Sequence, residues 1–188
     1  MRLYTCAAED AEKMLIEGNQ RYVAAKAASL DASEEVLKAS RQGQKPYAVI
    51  ITCSDSRVIP EAIFSAGIGD LFVIRVAGNV VGPFQLGSIE YAAEHLGTSL
   101  IVVLGHDNCG AVDAALNHQN DGYIKCITDE ILKAVGDEKD EMKACRLNVQ
   151  HNCETIESSL RIQHGEKNSG LKVIGAVYHL ESGRVEFL

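Results

Sequence analysis

No stretch of these 188 residues approaches the ~20 consecutive apolar residues of a membrane-spanning helix, so no such span is expected. Basic residues are also in short supply. Lys and Arg total 18 against 26 Asp and Glu, a formal net charge of −8. Binding to nucleic acid or an anionic membrane needs a basic face for phosphate, so neither class fits, and the acidity reads as a contribution to solubility. Six cysteines are too few for a disulfide scaffold in a chain of this length. Internal repeats and low-complexity tracts are absent. Met1-Arg2-Leu3-Tyr4-Thr5 leads into acidic sequence with no apolar signal core, so a cytoplasmic setting is expected. There the cysteines should be buried thiols, metal ligands or catalytic groups.

What the chain does contain is ordinary for a soluble protein, 46% hydrophobic and 23% charged residues, and it is long enough for one sizeable core. The expectation is a single α/β domain over 1–188, with a helical arm over 1–45 and an α/β core over 46–188. Residues 7–27 read as a helix carrying Leu15, Ile16, Tyr22 and Val23, with Gly18-Asn19 as the place for a kink or boundary. Ser33-Glu34-Glu35 begins a second helix that Gly43 stops. Low apolar density in this region suggests an arm laid over the body or over a partner subunit.

Strands are expected over 47–52, 70–76, 99–104, 171–180 and 184–188. Helical stretches lie between them, at 60–64, at 84–96 and from Cys109 to about His118. One long helix is predicted over 137–164, because Met142, Cys145, Val149, Cys153, Ile156 and Leu160 recur at steps of three and four. Strands alternating with helices imply a mostly parallel central sheet with flanking helices. Ser182-Gly183 turns the last two strands into a C-terminal antiparallel edge hairpin.

Two clusters carry the chemistry. Ile50-Ile51-Thr52-Cys53-Ser54-Asp55-Ser56-Arg57 is a buried-strand pattern ending in reactive groups, and Leu100 to Leu104 runs similarly into His106-Asp107-Asn108-Cys109. Open parallel sheets bind ligands at the carboxyl ends of their strands, so the clusters meet if those strands are neighbours. Cys53, His106 and Cys109 then form a Cys2His set suited to zinc with a fourth position open, the pattern of a catalytic rather than a structural site. Asp55 is placed to be the fourth ligand or to accept a hydrogen bond from metal-bound water, with Arg57 holding its carboxylate. A phosphatase loop is rejected, since only three residues separate Cys53 from Arg57 where five are needed. A Cys53–His106–Asp55 hydrolase ranks low because Cys109 would have no role. Cys145 and Cys153 read as core thiols of the long helix.

Taken together, Cys53-Ser54-Asp55-Ser56-Arg57-Val58, Gly69-Asp70-Leu71-Phe72-Val73, Arg75-Val76-Ala77-Gly78-Asn79, Ser88-Ile89-Glu90-Tyr91-Ala92, Gly105-His106-x-x-Cys109-Gly110-Ala111 and Gly175-Ala176-x-Tyr178-x-Leu180-x-x-Gly183 resemble the β-class carbonic anhydrases. The resemblance runs from about Gly18-Asn19 onward and is weakest over 119–168. It implies one Zn²⁺ per subunit on Cys53, His106 and Cys109, with Asp55 and Arg57 as the catalytic pair. The implied reaction is reversible hydration of carbon dioxide to bicarbonate and a proton by zinc-bound hydroxide, with activity rising through neutral and alkaline pH. The family also implies Gln44, Phe72, Tyr91 and Gly110 as substrate-pocket residues. Part of each pocket would come from a partner subunit, in a homodimer or a dimer of dimers. Ala77 stands where plant-like members have valine, which loosens the apolar wall. With no tryptophan, the inhibitory bicarbonate site of another subgroup is expected to be absent. Two other readings are a hydrolase of carbonyl sulfide or carbon disulfide on the same zinc and, far behind, a non-catalytic zinc assembly domain.

Overall fold

The computed structural model describes residues 6–25 and 30–188. The apolar runs around Ile50 and Val102 become β1 (Ala48–Thr52) and β3 (Leu100–His106), in which every residue is buried. Continuous burial of this kind requires cover on both faces, as in a parallel sheet. With β2 (Leu71–Arg75), β4 (Lys172–Tyr178) and β5 (Val185–Phe187) they form one sheet in the order β2-β1-β3-β4-β5. The first four strands are parallel and β5 pairs antiparallel with β4. The mostly parallel sheet and its antiparallel C-terminal edge are as expected.

Alternate residues of the strands feed two cores. On one face Ala48, Ile50, Leu100, Val102 and Leu104 pack with α1 (Ala8–Val23) and α3 (Pro60–Ile63) through Leu15, Ile63 and Phe64. On the other, Val49, Ile51, Ile101 and Val103 pack with Ile89 of α4 (Pro83–Tyr91), Val149 and Ile156 of α7 (Glu141–Glu157) and Ile162 of α8 (Leu160–Ser169). A smaller third core caps the carboxyl end of the sheet. Cys53 and Cys109 lie in it with Val112 and Ala115 of α5 (Gly110–Leu116), Ile131 and Val135 of α6 (Ile124–Val135), and Ala144 of α7.

Several details differ from the sequence expectation. The kink at Gly18-Asn19 does not form, and α1 runs through it. Gly18 is needed for contact with α3, where a Cβ would stand 1.9 Å from the Phe64 carbonyl oxygen. Residues 26 and 27 of that expected helix lie outside the described residues. Of the expected arm, α1 lies over the body, with Ala8, Ala11 and Leu15 buried, whereas α2 (Glu34–Ser40) buries no residue. The helix predicted over 137–164 is two helices, α7 and α8. Ser159 ends the run by turning its hydroxyl to the Arg161 and Ile162 N–H groups as an N-cap, which leaves Leu160 82% exposed. The amphipathic α6 has no counterpart in the expectation. Among the described residues no helix is long and apolar enough to cross a membrane.

Candidate metal centre

β1 has β2 on one side and β3 on the other, so the strand order reverses between β1 and β3, where a parallel sheet opens a crevice at its carboxyl end. Both predicted clusters emerge there. The Thr52 hydroxyl donates to the Leu104 carbonyl at 2.8 Å and ties the two strand ends together. Cys53 follows at once, His106 closes β3, and Cys109 sits just ahead of α5. All three side chains are buried, and their donor atoms lie within 4.8 Å of one another. The structure thus brings together the three residues that the sequence assigned to a metal.

The His106 ring has a defined tautomer. Nδ1 lies 2.8 Å from the Asp107 carbonyl oxygen, which can only accept, so Nδ1 carries the proton and Nε2 keeps its lone pair. That Nε2 is buried and has no hydrogen-bond partner among the described residues. Leaving a buried acceptor unpaired costs free energy, and a cation shared with two sulfurs removes the cost. Zinc fits this set, since two thiolates and a neutral imidazole are its ordinary ligands.

The sulfurs already share charge. The two sulfurs lie 4.0 Å apart, and the hydrogen bond between them favours a thiolate on Cys53, holding it below the ordinary thiol range against burial that opposes it. The His106 ring and the Gly78 N–H, 3.3 Å from the Cys53 sulfur, act in the same direction. The same bond, helped by burial, pushes Cys109 upward. Burial alone would lower His106, but the neighbouring Cys53 sulfur and its charge raise it. A divalent cation would replace the proton that the two sulfurs share.

Asp55 stands at the rim, with one carboxylate oxygen 4.0 Å from His106 Nε2. Arg57 grips it at both oxygens: Nε donates to Oδ1 at 2.9 Å and Nη2 to Oδ2 at 2.7 Å, while the Arg57 backbone N–H adds a third bond to Oδ1 at 2.9 Å. The guanidinium holds the Asp55 carboxyl far below the usual range, so it stays ionised. Arg57 also reaches the Asn108 carbonyl at 3.0 Å and so links the two ligand loops, which an ordinary surface ion pair would not do.

Sequence reasoning missed one residue of this frame. Arg75, at the end of β2 and paired in register with Thr52, donates to the Cys53 carbonyl at 3.2 Å and the Asp55 carbonyl at 2.7 Å. It stood in the sequence within the Arg75–Asn79 motif, but with no role assigned, because a cation at the carboxyl end of a strand also describes a solvated side chain.

The expected substrate residues are divided. Gly110 adjoins Cys109 as the first residue of α5. Phe72 and Tyr91 are together, with ring centroids 6.3 Å apart, but Phe72 pairs with Val49, about 13 Å back along the strand from Cys53. Gln44 is exposed and precedes the start of β1. Within one chain these three are not part of the metal centre.

The carbonic anhydrase family model matches residues 48–185. The chain is 40% identical over 183 residues to carbonic anhydrase 2 of Mycobacterium tuberculosis, covering 92% of this chain and 88% of that one. It is 37% identical over 185 residues to a carbonic anhydrase of Mycolicibacterium smegmatis, covering 93% and 90%. Among solved structures it resembles a tetrameric β-carbonic anhydrase of Sordaria macrospora, with TM-score 0.76, 27% identity, and 95% and 97% of the two chains covered.

Proposed function

The chain belongs to the carbonic anhydrase family, in its β class, and we propose from that membership that it hydrates carbon dioxide reversibly to bicarbonate and a proton with one zinc per subunit. The observation that carries this reading is the orphaned His106 Nε2 facing two cysteine sulfurs beside a clamped carboxylate. Cys53, His106 and Cys109 would hold the metal, and bound there it supplies the Lewis acidity that brings deprotonation of water towards neutral pH.

This chain's own groups do the rest. Both Asp55 oxygens are engaged by Arg57, which favours a hydrogen-bond acceptor over a fourth metal ligand. Held ionised, Asp55 accepts the hydrogen bond of the attacking water or hydroxide and so fixes which lone pair meets the substrate carbon. Arg57 keeps that carboxylate from turning. The Gly110 backbone N–H serves the developing oxyanion. Burial of the ligand set in the third core keeps bulk water from competing.

Gln44, Phe72 and Tyr91 are read as donated across a two-fold axis to the pocket of a second copy. Three features support a homodimer, or a dimer of dimers. Phe84 is 88% exposed and Tyr91 47% on α4, and β2 is an open sheet edge. The free thiols suit a cytoplasmic setting.

The test is stopped-flow carbon dioxide hydration on protein of measured zinc content. Activity proportional to zinc and rising with pH is expected; a rate independent of zinc, or flat over roughly pH 6 to 9, would sink the reading.

A further inference from the structure

The inner face of α7 carries two asparagines where an apolar stripe would be ordinary. Asn148 is 1% exposed and Asn152 3%. Four residues apart, they lie on the same side of the helix. The Asn148 amide donates to the Gly78 carbonyl at 2.8 Å, and the Asn152 Oδ1 accepts the Val81 N–H at 2.8 Å. The Asn152 amide donates to the Asn148 carbonyl and to its Oδ1, so the pair acts as one unit.

What they hold is the segment between β2 and α4. It includes a single 3-10 turn, Ala77–Asn79, in which Gly78 has a φ of 68°. Glycine is required there for that φ and for space: a Cβ would stand 2.8 Å from Ile131 and 3.1 Å from Ala111. The same glycine directs its N–H at the Cys53 sulfur. Glycine's broad torsional freedom would let this N–H swing unless its surroundings hold it. The segment's own buried amide does not: Asn79 Nδ2 finds no partner among the described residues. The restraint comes from α7, which grips the backbone at Gly78 and again three residues later.

We propose that Asn148 and Asn152 are positioning residues of the metal centre, aiming the Gly78 N–H at the Cys53 sulfur and so setting how strongly that sulfur donates to the metal. The inference rests on the zinc reading above. An N–H bond draws density from a thiolate and fixes where its sulfur sits, so losing it raises the sulfur donor orbitals and frees the sulfur to leave the position shared with His106 and Cys109.

The test uses Asn148→Leu and Asn152→Leu with Ile156→Val as control, a buried change on the same helix that touches none of these hydrogen bonds. Two quantities are read: the thiolate-to-metal charge-transfer band of the cobalt(II)-loaded protein, and zinc affinity by competition with a chromophoric chelator. Both asparagine variants should move the band to lower energy and weaken zinc about tenfold, while the control lowers thermal stability only. If Asn148→Leu fails to fold, Asn148→Ser gives the same readout. Band and affinity equal to those of the unaltered chain would overturn the proposal and leave the zinc reading standing. Absence of the band in the unaltered cobalt-loaded chain would overturn both.

Discussion

At the carboxyl end of β1, Cys53, Asp55 and Arg57 are fixed by contacts that one chain makes alone, among them the Arg75 and Gly78 bonds and the Arg57 link to Asn108. At the other end, Gln44 is exposed and Tyr91 is 47% exposed, with Phe72 beside it on an edge strand. The two ends share a sheet and a register, yet one is complete and the other is not. The difference separates two tasks that a single pocket would have merged. On the proposed reading, holding the metal is intramolecular, whereas shaping the substrate cavity would fall to association with a second copy.

The comparison breaks most visibly at the metal end. Cys53→Ser and His106→Ala should each lose bound zinc, measured by elemental analysis, and lower carbon dioxide hydration by at least about 10³-fold. Asp55→Asn should keep the zinc and lose roughly 10- to 100-fold, which separates the carboxylate's role from metal binding. At the far end, Gln44→Ala should cost a smaller factor, roughly five- to tenfold, because a neutral hydrogen bond is at stake. Mixing decides whether that loss acts across subunits. When Gln44→Ala and Cys53→Ser chains are unfolded and refolded together, hybrids carry one intact site, and activity should exceed the mean of the separate proteins. Activity no higher than the mean would return Gln44 to its own chain. The smallest effect belongs to neither end: Ser159→Ala should lower stability by about 1 kcal/mol through its lost cap, with hydration rate unchanged, as read by thermal melting and stopped flow.

How much of this was legible in the sequence follows from what each pattern encodes. Strands β1 and β3 announced themselves as continuous apolar runs, and the ligands at their ends were readable because Cys, His and Asp at strand termini carry chemistry wherever they meet. The break between α7 and α8 was hidden because the stripe from Met142 to Leu160 keeps helical period across Ser158 and Ser159. Only the capping geometry shows that the chain turns there. α6 was legible but was left out of the expectation: Ile124, Ile127, Ile131 and Val135 recur at steps of three and four ahead of Gly136, and Ile131 and Val135 pack into the third core. Arg75, Asn148 and Asn152 were opaque for another reason. Each acts on a backbone group far away in sequence, and no spacing rule reports a side chain that serves a distant peptide.

The proton on His106 Nδ1 is directed by the carbonyl of the very next peptide. Every one of the twenty amino acids carries that carbonyl. Residue 107 can therefore drift without taking away the group that orients the ligand, and the usual route by which such an imidazole loses its bearing, replacement of a partner side chain, is closed. In a lineage of such chains, selection would register at positions 53, 106 and 109 themselves. The choice of tautomer is inherited with the backbone.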